Sequence, residues 1–251
     1  MGSEMLGIVF LVAMIFFPGP PGHCDALGPE GLVLHYTGKK LGVPILKATI
    51  QIENGTIDGG KSLYKIHANI SSLGVFGLLF RMNNRFTSLI ESGTCRPIHY
   101  VKEIDQQGIF IGKKRYVHRL HFDTSHGKAI IEKDGEKGRE EISIPPDTYD
   151  PLSLFGRYCL EEDIQAGQEF RMSIYDGMKL REVIFHSSEA DVESKAAVCL
   201  ESVTPFSTFG GKEGRIRIWF TRNDRKRIPI LIELDLPVGM VRFELEETRE
   251  K

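Results

Sequence analysis

The chain has 251 residues, 32 Lys or Arg against 34 Asp or Glu for a net charge of −2, and 41% hydrophobic residues. A chain of that size buries a substantial core, and so even a charge balance excludes nucleic acid as the principal partner, whose footprint is a basic excess. Beyond the first residues no apolar run approaches the ~20 needed to span a bilayer as a helix.

The N-terminus speaks to location. Residues 5–17 (MLGIVFLVAMIFF) are an unbroken apolar run of thirteen, followed by the breaker cluster PGPPG at 18–22. Cys24-Asp25-Ala26 then offers a small-x-small site for a signal peptidase. Residues 1–26 therefore read as a secretory signal and 27–251 as one exported domain. The n-region departs from the usual pattern, holding Glu4 and no Lys or Arg. The implied location is the periplasm. Cys24 as an acylated lipoprotein cysteine is the lesser alternative, because Pro21-Gly22-His23 is a poor approach to it. Three further cysteines, Cys95, Cys159 and Cys199, allow one disulfide with one left over, and spacing does not choose the pair.

From Leu32 onward the chain reads with period two. Ala48, Ile50 and Ile52 alternate with Lys47, Thr49 and Gln51, and Tyr64, Ile66, Ala68 and Ile70 alternate with Lys65, His67 and Asn69. The same pattern returns at Phe170, Met172 and Ile174, at Ile230, Ile232 and Leu234, and at Val241, Phe243 and Leu245. Such alternation predicts half-buried strands, about eleven or twelve of them and mostly antiparallel. Hairpin turns are predicted at Glu53-Asn54-Gly55, Ser125-His126-Gly127, Asp134-Gly135, Asp176-Gly177 and Asn223-Asp224. One helix is predicted across 149–160, with Asp150 as cap and Pro151 at the first helical position. Leu152, Phe155 and Tyr158 form its apolar stripe, while Gly156 weakens it by ~1 kcal/mol relative to Ala. Residues 73–80 (LGVFGLLF) are apolar without a clear period. One or two short helices cannot cover a dozen one-sided strands. The predicted fold is mainly β: a single curved antiparallel sheet, as a half-barrel or open barrel, that covers its own apolar face.

Motifs for chemistry are weak. Leu120-His121-Phe122-Asp123-Thr124-Ser125 has the look of an aspartic-protease loop, but it lacks a second carboxylate site and reads as a hairpin entry. His118 and His121 fall on opposite strand faces and cannot share a metal; His121 with Asp123 remains a possible pair, with a solvated cross-strand partner the favoured reading. Residues 209–214 (FGGKEG) lack phosphate-loop spacing. The sequence therefore supports no catalytic residue, no metal and no cofactor. Two non-catalytic candidates remain. Leu152, Phe155 and Tyr158 can close an apolar cavity, and Arg222, Arg225, Lys226 and Arg227 form a basic tip able to meet anionic headgroups.

Trp219-Phe220-Thr221, Asp224 and Arg227-Ile228-Pro229 together resemble the closing hairpin of a family of bacterial exported proteins known as domain of unknown function 3108. Gly42-Val43-Pro44, the segment 80–92 (FRMNNRFTSLIES) and Asp150-Pro151-Leu152-Ser153 agree in order. The resemblance runs from about Gly31 to Leu245; the arginine usual after the helix is displaced here to Arg157. It implies curved antiparallel sheets distantly similar to periplasmic lipoprotein carriers, an open barrel lidded by helices over an apolar cavity, with no established catalytic residue or ligand. The expected function is a non-enzymatic periplasmic protein binding a lipid or other apolar ligand, with a cavity of several hundred Å³. The alternative is an envelope scaffold or adaptor with a filled core that works through protein contacts. Peripheral membrane contact fits either reading.

Overall fold

The computed structural model describes residues 31–56, 62–74, 76–109, 112–136, 138–161, 163–203, 214–222, 227–236 and 239–250. The predicted signal segment, Cys24, Arg225, Lys226 and the Asn223-Asp224 turn lie outside them.

Among the described residues, fifteen strands form one sheet. Strands β1 (Leu32–Lys40), β2 (Val43–Thr56) and β3 (Ser62–Ser72) lead into the short helix α1 (Phe76–Leu79). Then come β4 (Phe80–Glu91), β5 (Pro97–Gly108), β6 (Gly112–Asp123), β7 (Lys128–Lys133), β8 (Glu140–Ser143) and β9 (Thr148–Tyr149). Helix α2 (Pro151–Leu160) precedes β10 (Glu169–Tyr175), β11 (Leu180–Val192), β12 (Lys195–Ser202), β13 (Ile216–Thr221), β14 (Pro229–Leu236) and β15 (Gly239–Glu250). The order across the sheet is β8-β7-β6-β5-β4-β3-β2-β1-β15-β14-β13-β12-β11-β10-β9, so every strand pairs with its chain neighbour except at the central β1–β15 seam. All pairs are antiparallel but β9–β10, which is parallel over two residues. The edges β8 and β9 do not pair, and the sheet stays open. The count exceeds the expected eleven or twelve in part because β8 and β9 are only four and two residues long, too short to show a period.

The predicted faces are the observed ones. Ile66, Ala68 and Ile70 point into the core while Lys65 and Asn69 point to water. Strand β10 differs: Ser173 and Tyr175 are buried along with Met172 and Ile174, so its end is covered on both faces. Glu53-Asn54-Gly55 is not a turn. It continues β2 in register with Lys65, Tyr64 and Leu63, because the pairing to β3 persists beyond the turn-forming residues. The other described turns fall where expected. At Ser125-His126-Gly127 the turn is tied by Asp123, whose carboxylate accepts from the Ser125 hydroxyl at 2.7 Å. His121 meets its cross-strand partner His99 at 4.6 Å between ring centres, the favoured of the two expectations, while Asp123 faces His126.

Curvature brings the far half of the sheet back onto the near half. The turn after β10 tucks against the inner face of β5 to β7. A Cβ on Gly177 (φ +84°) would lie 2.9 Å from Leu120 Cδ1, so both the backbone and the space require glycine. Phe122 meets Tyr175 edge to face at 6.5 Å. The barrel is thus completed by side chains rather than by strand pairing.

Helix α2 plugs one end. Asp150 accepts from the backbone N–H of Leu152 at 2.8 Å and of Ser153 at 3.1 Å, and Ser153 Oγ accepts from the Asp150 N–H, a complete capping box. Gly156 is explained by contact rather than by flexibility. A Cβ there would stand 2.6 Å from Ile66 Cδ1 and 2.9 Å from Ile90 Cδ1, so the helix backbone rests directly on β3 and β4. Ala at this position gains ~1 kcal/mol of helix propensity but overpacks by ~1–3 kcal/mol. Gly156→Ala is therefore expected to lower stability in urea unfolding, and Ile66→Val, which removes the clashing methyl, is expected to restore part of the loss. Additive effects of the two changes would refute the contact.

The antiparallel order gives the barrel two distinct ends. Helix α2 runs toward the end that holds the β4–β5 and β13–β14 connections, where Glu161 accepts from the Gly93 N–H at 3.0 Å. The other end holds the β1–β2 turn, α1, and the β5–β6 and β14–β15 turns. Cys95, Cys159 and Cys199 are all buried and form no disulfide among the described residues.

Candidate functional site

The inner face of the curved sheet leaves an apolar cavity of about 110 Å³ above the N-terminus of α2. One wall is built around two alanines. Ala48 lies between Tyr36 and Ile70 in register, and Ala68 between Ile50 and Phe86, and all six residues line the space. The short side chains in a row of isoleucines are what keep the space open. Ile216, Ile218, Ile232, Leu234 and Phe243 form the opposite wall. Leu152, Leu154 and Phe155 form the floor. Polar atoms in the wall are engaged elsewhere: the Tyr36 hydroxyl donates to the Pro229 carbonyl at 2.8 Å. Among the lining residues only Pro151 and Ile216 are half-exposed, and Ile216 starts β13 at the end away from the plug.

Leu152 and Phe155 line the cavity. Tyr158 does not. It is fully buried one turn further along, edge to face with Phe170 at 5.5 Å and Phe185 at 6.3 Å, and it anchors α2 rather than lining the cavity. An i, i+3, i+6 stripe winds around a 3.6-residue helix, so its last member faces a different strand.

Beside the apolar wall the inner face turns polar. Lys102 of β5 is fully buried, and its ammonium donates to Asp176 Oδ2 at 3.0 Å in an ion pair with both groups out of water. Asp176 also accepts from the backbone N–H of Met178 and Lys179. Asn84 lies opposite Ile70 in register and gives its carbonyl oxygen to the Asp105 N–H, while its amide nitrogen and both amide atoms of buried Gln106 have no partner among the described residues. Asp150 is wholly buried and accepts from the Ser88 hydroxyl at 2.7 Å. Burial pushes its carboxyl up to about 6, although the bonds from Ser88, Ser153 and Leu152 oppose this. Burial also raises the Tyr100 phenol well above its ordinary value, with Asp150 and then Asp176 adding to it. His118, beside this set, is lowered by burial and by Lys102. The sequence hides Asn84, Lys102 and Gln106 because each sits at an inward position of an otherwise ordinary strand.

The basic tip lies at the opposite end from the cavity mouth. Arg222 pairs with Glu189 at 2.9 Å and Arg227 with Asp163, so both described arginines are neutralised locally. They border a polar crevice of about 390 Å³ with these same carboxylates. Among the described residues no group of three His, Cys, Asp or Glu is placed to hold a metal.

The chain belongs to the family described as protein of unknown function (DUF3108), whose model matches residues 33–246. No curated protein matches the chain. Among solved structures it is similar to the crystal structure of a beta-barrel-like protein of domain of unknown function DUF1849 from Brucella abortus. The TM-score is 0.54 at 11% identity, covering 90% of this chain and 100% of that one. At that identity the likeness shows the shared barrel-like fold.

Proposed function

We propose that this is a non-enzymatic periplasmic protein that holds a lipid or another apolar molecule by its apolar end, in the cavity above α2. The observation that carries the reading is the cavity itself, a space kept open by Ala48 and Ala68 and floored by Leu152 and Phe155. At about 110 Å³ it is smaller than the several hundred expected of a whole-ligand carrier. An engineered apolar cavity of ~150 Å³ binds benzene, so this one suits a ring or a chain end, with the remainder of the ligand leaving through the mouth. Each methylene buried there contributes ~0.8 kcal/mol. A scaffold with a filled core is less well supported, because larger side chains at the two alanines would fill the space. The non-enzymatic reading is supported by the work the buried ionisable groups already do: Asp150 caps α2 and Lys102 pairs with Asp176. The predicted signal in residues 1–26 supports the periplasm.

The test is uptake of N-phenyl-1-naphthylamine, read by fluorescence, with mass spectrometry of protein taken from the envelope under native and then denaturing conditions. The expected result is probe uptake and a lipid released on unfolding. Ala68→Leu fills the cavity from its wall and is expected to weaken uptake at least tenfold while the protein still melts cooperatively. Phe155→Asp should do the same from the floor. A clean ligand-free mass together with no uptake would remove the reading.

A further inference from the structure

We infer that the mouth end of the barrel docks on an anionic lipid bilayer. The first observation is where exposed apolar side chains lie. The large hydrophobic residues exposed among the described residues are Leu41, Val43, Leu78, Leu79, Ile109, Met178, Leu180, Val203 and Met240. The strand order places every one of them at the same end of the sheet, the end away from the α2 plug. Leu41 belongs to the β1–β2 turn, Leu78 and Leu79 to α1, Ile109 to the end of β5 and Met240 to the start of β15. Ile109 donates its N–H to the Leu79 carbonyl at 3.3 Å, so the α1 and β5 contributions are physically joined. At the plug end no large hydrophobic is exposed among the described residues. Scattered exposed leucines need no explanation, but segregation to one end does.

The second observation is charge. The segments 39–43, 76–81, 112–115 and 239–242 contain Lys39, Lys40, Arg81, Lys113, Lys114, Arg115 and Arg242 and no acidic residue of their own, although Lys39 and Arg242 pair with Glu244, Arg81 pairs with Asp105, and the β7–β8 turn at this end carries Asp134 and Glu136. Lys113, Lys114 and Arg115 are exposed at the start of β6 and form no ion pair among the described residues. Exposed Leu78, Leu79 and Ile109 beside the unpaired Lys113, Lys114 and Arg115 match the interfacial zone of a bilayer, with hydrocarbon below and anionic headgroups at the level of the three cations. A second copy of this end would bring two such unpaired basic clusters together. Charge complementarity therefore favours anionic lipid. The location deepens the proposed function, because Ile216 marks the cavity mouth at this same end and docking would open the cavity toward the lipid. The surface itself stands independently of any cavity ligand.

The experiment is flotation of the full exported protein with vesicles of phosphatidylglycerol and phosphatidylethanolamine, against vesicles of phosphatidylcholine alone. Binding to the anionic vesicles is expected, at least tenfold stronger than to the neutral ones and weakened at high salt. Lys113→Glu with Lys114→Glu is expected to reduce it at least tenfold, as is Leu78→Ser with Leu79→Ser. Arg222→Glu, at the plug end, should leave it unchanged. All these residues are exposed, so the variants should keep the parent melting temperature. Absence of vesicle binding would overturn the inference, as would binding unaffected by the mouth-end variants. Self-association abolished by Leu78→Ser with Leu79→Ser, in the absence of flotation, would also overturn it and assign the face to a second copy. Retained probe uptake with lost flotation would leave the cavity reading intact, and the converse would leave the docking surface.

Discussion

Lys102→Met is expected to cost about 3–5 kcal/mol of unfolding free energy, the range for removing one partner of a buried ion pair. The side chain of Lys102 is fully buried and that of Asp176 nearly so, and their separation is 3.0 Å. Methionine keeps the volume of the stem but abandons the carboxylate in a medium that cannot solvate it. Coulomb attraction is not what is chiefly lost; the cost is the orphaned charge. Combining Lys102→Met with Asp176→Asn should therefore recover most of the loss. Asparagine keeps the Oδ1 acceptor that holds the Met178 and Lys179 N–H groups, so the turn survives. Urea unfolding of the four members of this cycle measures the coupling. Equal losses in the single and double variants would show that the β10–β11 turn is held by packing around Gly177 and not by the pair.

Asp150→Ala is expected to cost about 2–4 kcal/mol. The cap itself contributes ~0.5–2 kcal/mol, and two buried N–H groups and the Ser88 hydroxyl lose their acceptor, each a penalty of ~1–3 kcal/mol when nothing replaces it. The partial overlap of these terms sets the range. Asp150→Asn should be far milder, because asparagine still caps. The two variants also differ in their response to pH. Burial raises the Asp150 carboxyl to about 6 in the folded protein, against an ordinary value near 3.8. A raised carboxyl pKa means the folded state holds its proton more tightly than the unfolded state does. Its stabilising contribution is thus fully present below about pH 4 and is lost as pH rises through about 6. The two-unit gap corresponds to about 3 kcal/mol between those limits. The stability of the parent protein relative to Asp150→Asn is therefore expected to fall between pH 4 and 6.5 and then level off. A constant difference across that range would mean that Ser88 and the helix N–H groups hold the carboxylate ionised when folded.

Taken together, these two sites describe an interior that is held by polar groups where its elements meet and is left apolar and incompletely filled between them. The ion pair fixes the returning half of the sheet to β5, and the cap fixes α2 to β4. What remains between them is the cavity, and its mouth faces the end where the exposed apolar side chains gather.

The sequence by itself determined the strands, their inward faces and the capped helix at 151–160. Each of these rests on short-range chemistry: alternation within one strand, turn residues within a few positions, and Asp150 with Ser153 three residues apart. It also determined that the sheet must cover itself, because the apolar surface of so many strands exceeds what two short helices can bury. Leu152 and Phe155 were legible for the same reason, as members of a local helical stripe. Only the tertiary structure decided the rest. Whether Ala48 and Ala68 leave a space depends on what faces them from β13 to β15, well over a hundred residues away. Lys102 reads as one more polar residue on an alternating strand until curvature brings Asp176 over it. Arg222 and Arg227 read as a free basic tip until Glu189 and Asp163 are seen beside them, while the apolar end is dispersed among turns far apart in the chain and becomes one surface only through the strand order. Local pattern fixes which way a side chain points, but burial, charge compensation and open volume depend on what long-range packing places opposite it.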